Sequence, residues 1–333
     1  MMELWNADFS QARGKALIGQ SVITLGNFDG LHKGHRLLIQ DAVESAKNQG
    51  LPAVIVTFDP HPVKILSPLR HHGLLMTLSQ KLCIFDELGV FGVWLIPFSR
   101  YFSELAPGDF LDGLHSALNP AELHVGQNFR FGLNRVGDLS CLQTWGNAAG
   151  RPVYSHAFKA PDGGVLSSSR VRQALLDGDV GLASSLLGAP FRLTGVVVEG
   201  ERRGRQIGFP TANLAWEQEL LPASGVYVTM ARCHTHLANP TSGLTNIGVK
   251  PTFKGKSLTV ETHLPGIDLN LYGARLELDF LTRVRGEEKF DGAESLRARI
   301  AEDMAFLRRE YSFFDSPCST GSFGSIKKIC GLV

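Results

Sequence analysis

The pattern of apolar residues changes character once along this chain, near residue 190, and that change constrains the fold more than any other feature. Before it, short continuous apolar runs such as SVITL and AVIVTF alternate with helical patterns. Strands that are apolar at every residue are buried on both faces, which is typical of a parallel sheet covered by helices. After it, runs such as FRLTGVVVEG and ARLELDFL contain stretches of period two with few helices between them. Those stretches indicate an antiparallel sheet or barrel.

We therefore predict an α/β chain of two domains. Residues 1–187 form a Rossmann-like parallel-sheet domain, and residues 188–311 form an antiparallel β-barrel that ends in one amphipathic helix. A chain of 333 residues with 44% apolar residues can fill two such cores. Residues 312–333 are small, polar and rich in glycine, so we expect a disordered tail there.

Composition excludes several classes of function. Lys and Arg (33) nearly balance Asp and Glu (32), so the chain has no broad basic field and we expect no nucleic-acid partner. The five cysteines are scattered without Cys-x-x-Cys spacing, which argues against a disulfide framework or a zinc site. No apolar run is long enough for a membrane span or a signal peptide. We expect a cytoplasmic protein without a membrane partner, either a monomer or a weak homo-oligomer.

The run GNFDGLHKGHRLL follows the first predicted strand and begins a helix. Gly26 and Gly30 permit a tight turn, and His32 and His35 share one helix face. Cations are mildly unfavourable at the positive end of a helix unless an anion binds there, so the run predicts a phosphate site. The alternative is a solvated helix start with incidental histidines.

A second helix start, SSSRVRQALLDGD, carries Arg170 and Arg172. Ser168 or Ser169 can cap this helix, and arginine suits bidentate phosphate contacts. A capped helix with ordinary surface charge is the alternative. In GQNFRFG, Asn128 follows the predicted strand ELHVG and lies at the same edge of the sheet.

The predicted barrel has its own polar stretch, RRGRQIGFPTANL. Gly204 and Gly208 free the backbone, while Thr211 and Asn213 offer neutral oxygens of the kind that Mg²⁺ shares with substrate phosphates. The alternative is an ordinary basic hairpin loop. Glu261 lies on the polar face of the strand LTVETHL, where a glutamate is usually only solvated.

Together these stretches resemble one family. H-x-G-H after the first strand is similar to the signature of the nucleotidyltransferase superfamily, and GNFDGLHKGH resembles its branch of bacterial bifunctional riboflavin kinases/FAD synthetases. The blocks TFDPHP, VGQNFRFG, SSSRVRQAL, GFPTANL, GVYV and NIGVKPTF extend the resemblance over residues 20 to 311. It implies that the barrel phosphorylates riboflavin to FMN with ATP. It also implies that the first domain adenylylates FMN with a second ATP, giving FAD and pyrophosphate.

The resemblance also implies residue roles. His32, His35 and Arg170 are catalytic in adenylyl transfer, and Glu261 takes the proton from the riboflavin 5′-hydroxyl. Thr211 and Asn213 bind Mg²⁺ with ATP. ATP or its phosphates contact Gly26, Phe28, Asp29, Gly30, Asn128, Ser168, Arg172, Gly204, Gly208 and Pro210. Asn128 and Asn270 stand where the family often has Asp.

Two other functions compete with this interpretation. One is a nucleotidyltransferase of single activity with an accessory barrel, against which the P-T-A-N block and Glu261 argue. The other is a non-catalytic regulator that binds flavin or nucleotide. A regulator would tolerate loss of His32, His35 or Glu261, and all three are present.

Overall fold

A computed structural model describes residues 1–12, 16–69, 73–160, 162–201, 203–252 and 255–311. The predicted tail, 312–333, lies outside the described residues. The described chain divides into two compact units: residues 1–69 and 77–167 belong to the first unit, and residues 73–76 and 168–311 belong to the second.

The first unit contains a parallel sheet, as the apolar runs predict, and this sheet has six strands. Its strand order is β1-β4-β3-β2-β5-β6. The strands are β1 Glu3–Asn6, β2 Ser21–Leu25, β3 Ala53–Asp59, β4 Gly92–Pro97, β5 Pro120–Gly126 and β6 Val153–His156. The helices are α1 Phe9–Ala12, α2 Lys33–Gln49, α3 Pro62–Leu66, α4 Leu78–Glu87, α5 Arg100–Ser103, α6 Pro107–Leu118 and α7 Leu139–Ala148. The strand order reverses between β2 and β5, and ligands of such sheets bind at the carboxyl ends of the strands beside that point.

Local sequence accounts for the elements around this point. All five residues of β2 are buried, which is why the strand reads as a continuous apolar run. Helix α2 buries a stripe that includes Leu38, Ala42 and Ala46, and it ends at Gly50, whose positive φ of 66° suits glycine. Helix α4 begins at Leu78 because Thr77 is its N-cap and forms a capping box with Gln80.

The second unit contains a closed antiparallel barrel with the strand order β10-β11-β8-β7-β12-β9. Its strands are β7 Phe191–Val198, β8 Ala212–Trp216, β9 Gly225–Arg232, β10 Thr241–Thr252, β11 Gly255–His263 and β12 Arg275–Arg285. Its helices are α8 Ser168–Leu176, α9 Val180–Leu187, α10 Arg203–Gln206 and α11 Ala293–Tyr311. The predicted terminal helix is α11, and its Met304 and Leu307 pack against Val226 and Val228 of the barrel.

Helices α8 and α9 belong to the second unit, although the sequence analysis groups them with residues 1–187. The end of α8 is tied to the barrel by two hydrogen bonds. The Ala223 N–H donates to the Leu175 carbonyl oxygen at 2.9 Å, and the Arg283 guanidinium donates to the Asp177 carbonyl oxygen at 3.3 Å. Helical periodicity carries no information about such partners. A boundary between the two activities at residue 187 stays a prediction.

Candidate active sites

The turn between β2 and α2 is tightly built. Phe28 and Leu31 adopt left-handed backbone conformations, with φ of 51° and 41°, and both side chains are fully buried. Non-glycine residues in this region cost on the order of 1–3 kcal/mol each and persist where the surroundings enforce them. A Cβ on Gly26 would lie 2.9 Å from the Phe28 ring, and Gly30 has a φ of 80°. The two predicted turn glycines are therefore required by close approach and by backbone conformation.

His32 and His35 form a stacked pair at the start of α2. Their ring centroids are 3.7 Å apart, and the planes differ by 14°. His32 is the N-cap, because its Nδ1 accepts a hydrogen bond from the His35 backbone N–H at 3.3 Å. The edge of Phe28 contacts His35 from another side. Among the described residues, His35 Nδ1 is buried without a hydrogen-bond partner, which leaves a polar atom available to a ligand.

The sequence argument treats both histidines as cations, and the structure indicates a different charge state. Burial lowers the pKa of His32 to about 4. Burial, followed by the nearby His32 and Lys81, lowers the pKa of His35 well below its usual value. Both imidazoles are therefore neutral at pH 7, because desolvation disfavours the charged form. The helix start carries two neutral donor–acceptor groups and not the two cations that the argument from the helix dipole assumes.

A lysine that the sequence analysis does not single out lies beside this pair. Lys81 of α4 is buried, and its Nζ donates to the Asn27 carbonyl oxygen at 2.8 Å. The attraction of Asp29, which is itself buried, opposes the desolvation of this ammonium. The sequence could have identified Lys81, because it lies on the apolar face of α4 between Leu78 and Leu82, where lysine is rare.

Asn128 lies just beyond the carboxyl end of β5. It is exposed in a tight turn that is closed by a hydrogen bond from the Phe129 N–H to the Gly126 carbonyl oxygen at 2.9 Å. Since β5 is the hydrogen-bonded neighbour of β2, Asn128 and the histidine turn follow adjacent strands at the same edge of the sheet. This is the placement that the sequence predicts.

The predicted phosphate group of Ser168, Arg170 and Arg172 lies on α8, in the second unit. Ser168 is the first residue of that helix and does not precede it as a cap. Arg172 is buried, and its Nε donates to the Gly73 carbonyl oxygen at 2.8 Å within the same unit. Part of its guanidinium is therefore used in a structural hydrogen bond. Combined action of these residues with His32 and His35 stays a prediction.

In the barrel, the structure brings Thr211, Asn213 and Glu261 together. Asn213 of β8 is the direct cross-strand partner of Glu261 on β11, and Asn246 of β10 is its partner on the other side. The Thr211 hydroxyl donates to Glu261 Oε2 at 3.3 Å. Glu261 is half-buried between two amide side chains and a hydroxyl, so it is more than a solvated strand residue. Asn246 was not identified from the sequence.

Glycines and one proline shape the loop above these residues. A Cβ on Gly204 would lie 2.4 Å from the Phe209 carbonyl oxygen and 3.3 Å from the Thr211 hydroxyl. Gly208 has a φ of 89°. The Pro210 carbonyl oxygen accepts a hydrogen bond of 2.7 Å from His263 Nδ1. The predicted basic loop is partly a short helix, α10, and these contacts fix the chain that leads into Thr211.

Gly200 is a further residue that the sequence analysis did not single out. Its missing side chain leaves room for Asn213, because a Cβ there would lie 2.2 Å from Asn213 Nδ2. Loss of this space would displace the Asn213 amide from its position beside Glu261.

The donor set in the barrel fits a hard divalent cation that is shared with a polyphosphate. Thr211 and Asn213 can offer neutral oxygens, and Glu261 can offer a carboxylate. In the part of the chain that the structure describes, no three His, Cys, Asp or Glu side chains are grouped so that they could hold a metal by themselves. Mg²⁺ commonly binds through one or two protein oxygens together with substrate phosphates, so this small donor set suits it.

Comparisons with known proteins match two different family models to the two halves of the chain. A family model described as FAD synthetase matches residues 15–170, and one described as riboflavin kinase matches residues 187–311. The first match contains the histidine turn, and the second contains Thr211, Asn213 and Glu261.

Two curated relatives cover nearly the same length. The bifunctional riboflavin kinase/FMN adenylyltransferase of Escherichia coli (strain K12) is 38% identical over 288 residues, which is 86% of this chain and 91% of that protein. The protein of the same name from Bacillus subtilis (strain 168) is 33% identical over 299 residues, 88% of this chain and 93% of that one.

A solved structure also matches over most of the chain. It is described as a macrolide-efflux protein from Streptococcus pneumoniae, with a TM-score of 0.82, 30% identity, and coverage of 90% of this chain and 97% of that one. In this chain, none of the helices within the described ranges has both the length and the apolar character needed to cross a membrane. From the two family matches and the relatives of nearly full length, the chain belongs to the bifunctional riboflavin kinase/FMN adenylyltransferase family.

Proposed function

We propose that the two activities of this family, phosphorylation of riboflavin to FMN and adenylylation of FMN to FAD, take place at the two sites described above. The observation that carries this assignment is the presence of a separate polar site in each compact unit. Glu261 lies between Thr211 and Asn213 in the barrel, and a buried neutral pair, His32 and His35, lies at the edge of the parallel sheet.

In the barrel, Glu261 is the general base. The riboflavin 5′-hydroxyl oxygen attacks the γ-phosphorus of ATP, its proton passes to the Glu261 carboxylate, and ADP leaves. Glu261 is held in place for this role because the Thr211 hydroxyl donates to one of its oxygens. A positioned general base contributes about 10²–10⁴-fold to such a step.

Thr211 and Asn213 would hold Mg²⁺ together with the ATP phosphates, as their oxygen donors suggest. The bound ion would supply neutralisation of phosphate charge. Gly204 and Gly208 let the covering loop approach these two residues closely.

At the sheet edge, an FMN phosphate oxygen attacks the α-phosphorus of ATP. The bond from that phosphorus to the bridging oxygen breaks, and pyrophosphate leaves. His32 and His35 act here as neutral hydrogen-bond donors to phosphate oxygens. His35 Nδ1, which is buried without a partner among the described residues, supports this role. No protein nucleophile is required, and positioning with electrostatic stabilisation supplies the acceleration. Arg170 and Arg172 would bind the triphosphate and the departing pyrophosphate.

The proposed function also implies small-molecule partners and a cellular compartment. Riboflavin, FMN and ATP are the small-molecule partners, and the enzyme works in the cytoplasm, where a flavin-forming enzyme has access to ATP. Among the described residues, the thiols of Cys141 and Cys233 are not part of a disulfide, which suits a reducing compartment.

One incubation separates this function from its two rivals. The full chain is mixed with riboflavin, ATP and MgCl₂, and the flavins are resolved by chromatography. We expect FMN to appear first and FAD to follow, with EDTA abolishing both. A transferase of single activity would leave riboflavin unchanged, and a non-catalytic regulator would form neither product. Either result would overturn the proposal.

A further inference from the structure

Lys81 is a buried ammonium in the first unit, at the histidine turn, and the two reactions above give it no part. Its side chain is 7% exposed and reaches from α4 to the loop that follows β2. A buried cation is costly unless it is compensated, so its retention in a stable domain needs a reason.

The contacts of Lys81 indicate that reason. Its Nζ donates to the carbonyl oxygen of Asn27. Asn27 lies between Gly26 and Phe28, and Phe28 has a left-handed backbone conformation. We propose that Lys81 is a positioning residue for adenylyl transfer, which holds the Gly26–Gly30 turn and orients His35 through it. This inference rests on the proposed function of the histidine pair.

The position of the turn matters because Phe28 contacts His35 directly. The ring centroids of Phe28 and His35 are 5.3 Å apart, in an edge-on arrangement. Phe28 also packs on Phe85 of α4, one turn beyond Lys81. Helix α4 thus holds the turn twice, by a hydrogen bond at Asn27 and by an aromatic contact at Phe28. Movement of Asn27 would shift the Phe28 ring against which His35 is placed.

The charge of Lys81 has a second effect on the pair. The groups that act on His35 are His32, on its own helix, and Lys81, from α4; both lower its pKa in addition to burial. Asp29 in the turn and Asp59 at the end of β3 attract the ammonium and raise the pKa of Lys81, against the larger effect of burial. With its ammonium charged, Lys81 adds to the larger effect of burial in keeping His35 in the neutral form that the proposed donor role needs.

The test uses the full chain and compares Lys81→Met with the exposed control Lys47→Met, on the far end of α2. Wild-type FAD formation from FMN and ATP is measured first, because its absence would refute the proposed function and not this inference. In Lys81→Met, we expect kcat for FAD formation to fall about 100-fold, since small displacements of catalytic groups have effects of that size. Riboflavin phosphorylation by the same protein and both activities of Lys47→Met stay at wild-type values.

The pH profile distinguishes positioning from simple support of the fold. Loss of the Lys81 charge raises the pKa of His35, so the acidic limb of FAD formation moves to higher pH, and histidine NMR detects the same change. If Lys81→Met does not fold, Lys81→Gln, which keeps a polar donor but no charge, is measured instead. FAD formation within twofold of wild type, or an unmoved acidic limb in the folded variant, would overturn the inference.

Discussion

The neutral state of the histidine pair makes the stability of the first unit depend on pH. In the unfolded chain His32 titrates near its ordinary value of 6.5, while in the folded chain burial lowers its pKa to about 4. Between these values the unfolded state binds more protons, so stability is fully present above pH 6.5 and is lost as the pH falls towards 4. At pH 5 the two pKa values correspond to a loss of about 2 kcal/mol from His32.

Substitution of His32 by asparagine isolates this contribution. Asparagine is a good N-cap, so His32→Asn keeps an acceptor for the His35 N–H while removing the titrating ring. Denaturant unfolding of the full chain would be followed by tryptophan fluorescence, which reports mainly on the first unit through Trp5, Trp94 and Trp145.

The expected result is a smaller loss of unfolding free energy in the variant. Between pH 8 and pH 5, the wild-type transition should lose about 2 kcal/mol more than that of His32→Asn. The control His115→Asn, at an exposed position on α6, should show the wild-type pH dependence. Equal losses in wild type and His32→Asn would refute a neutral, buried His32.

Two further predictions concern the barrel. Gly204→Ala places a methyl group about 2.4 Å from the Phe209 carbonyl oxygen, a backbone atom that cannot rotate away. It should lower stability by about 1–3 kcal/mol and reduce riboflavin phosphorylation, read by thermal unfolding and by FMN formation, whereas unchanged kinase activity would refute a fixed loop. Asp303→Ala removes the carboxylate of α11 that pairs with Arg285 at 2.9 Å, leaving a largely buried guanidinium without this partner. It should destabilise the second unit by about 3–5 kcal/mol in denaturant unfolding, and a loss below 1 kcal/mol would contradict the buried pair.

The sequence was most informative where local pattern decides structure. The run SVITL predicted β2 with the same first and last residues that the structure shows, because a central parallel strand is buried on both faces. The same rule missed β1 and β6, which lie at the sheet edges and keep exposed residues. The predicted proximity of Thr211, Asn213 and Glu261 also rested on family resemblance, since a single strand pattern does not specify its neighbour.

Other features depend on contacts between distant residues, and sequence reasoning could not supply them. The charge of His32 is set by burial, and that of His35 by burial, by His32 and by Lys81, which lies 46 positions after His35 in the chain. Arg172 looks like a free phosphate ligand in its helix, yet it donates to the Gly73 carbonyl oxygen. Helices α8 and α9 belong to the barrel unit, and the end of α8 is held there by hydrogen bonds to the carbonyl oxygens of Leu175 and Asp177. None of these contacts produces a periodic pattern in the amino-acid sequence.

The central claim is that the two reactions occur at two separate sites, and a pair of variants tests it most directly. Full-length His35→Ala and Glu261→Gln are each incubated with ATP and Mg²⁺, once with riboflavin and once with FMN, and the products are separated by chromatography. We expect His35→Ala to accumulate FMN from riboflavin without FAD. Glu261→Gln should convert FMN to FAD at the wild-type rate while forming FMN from riboflavin about 10²–10⁴-fold more slowly. If either variant lost FMN formation from riboflavin and FAD formation from added FMN to the same extent, the assignment of one reaction to each site would be contradicted.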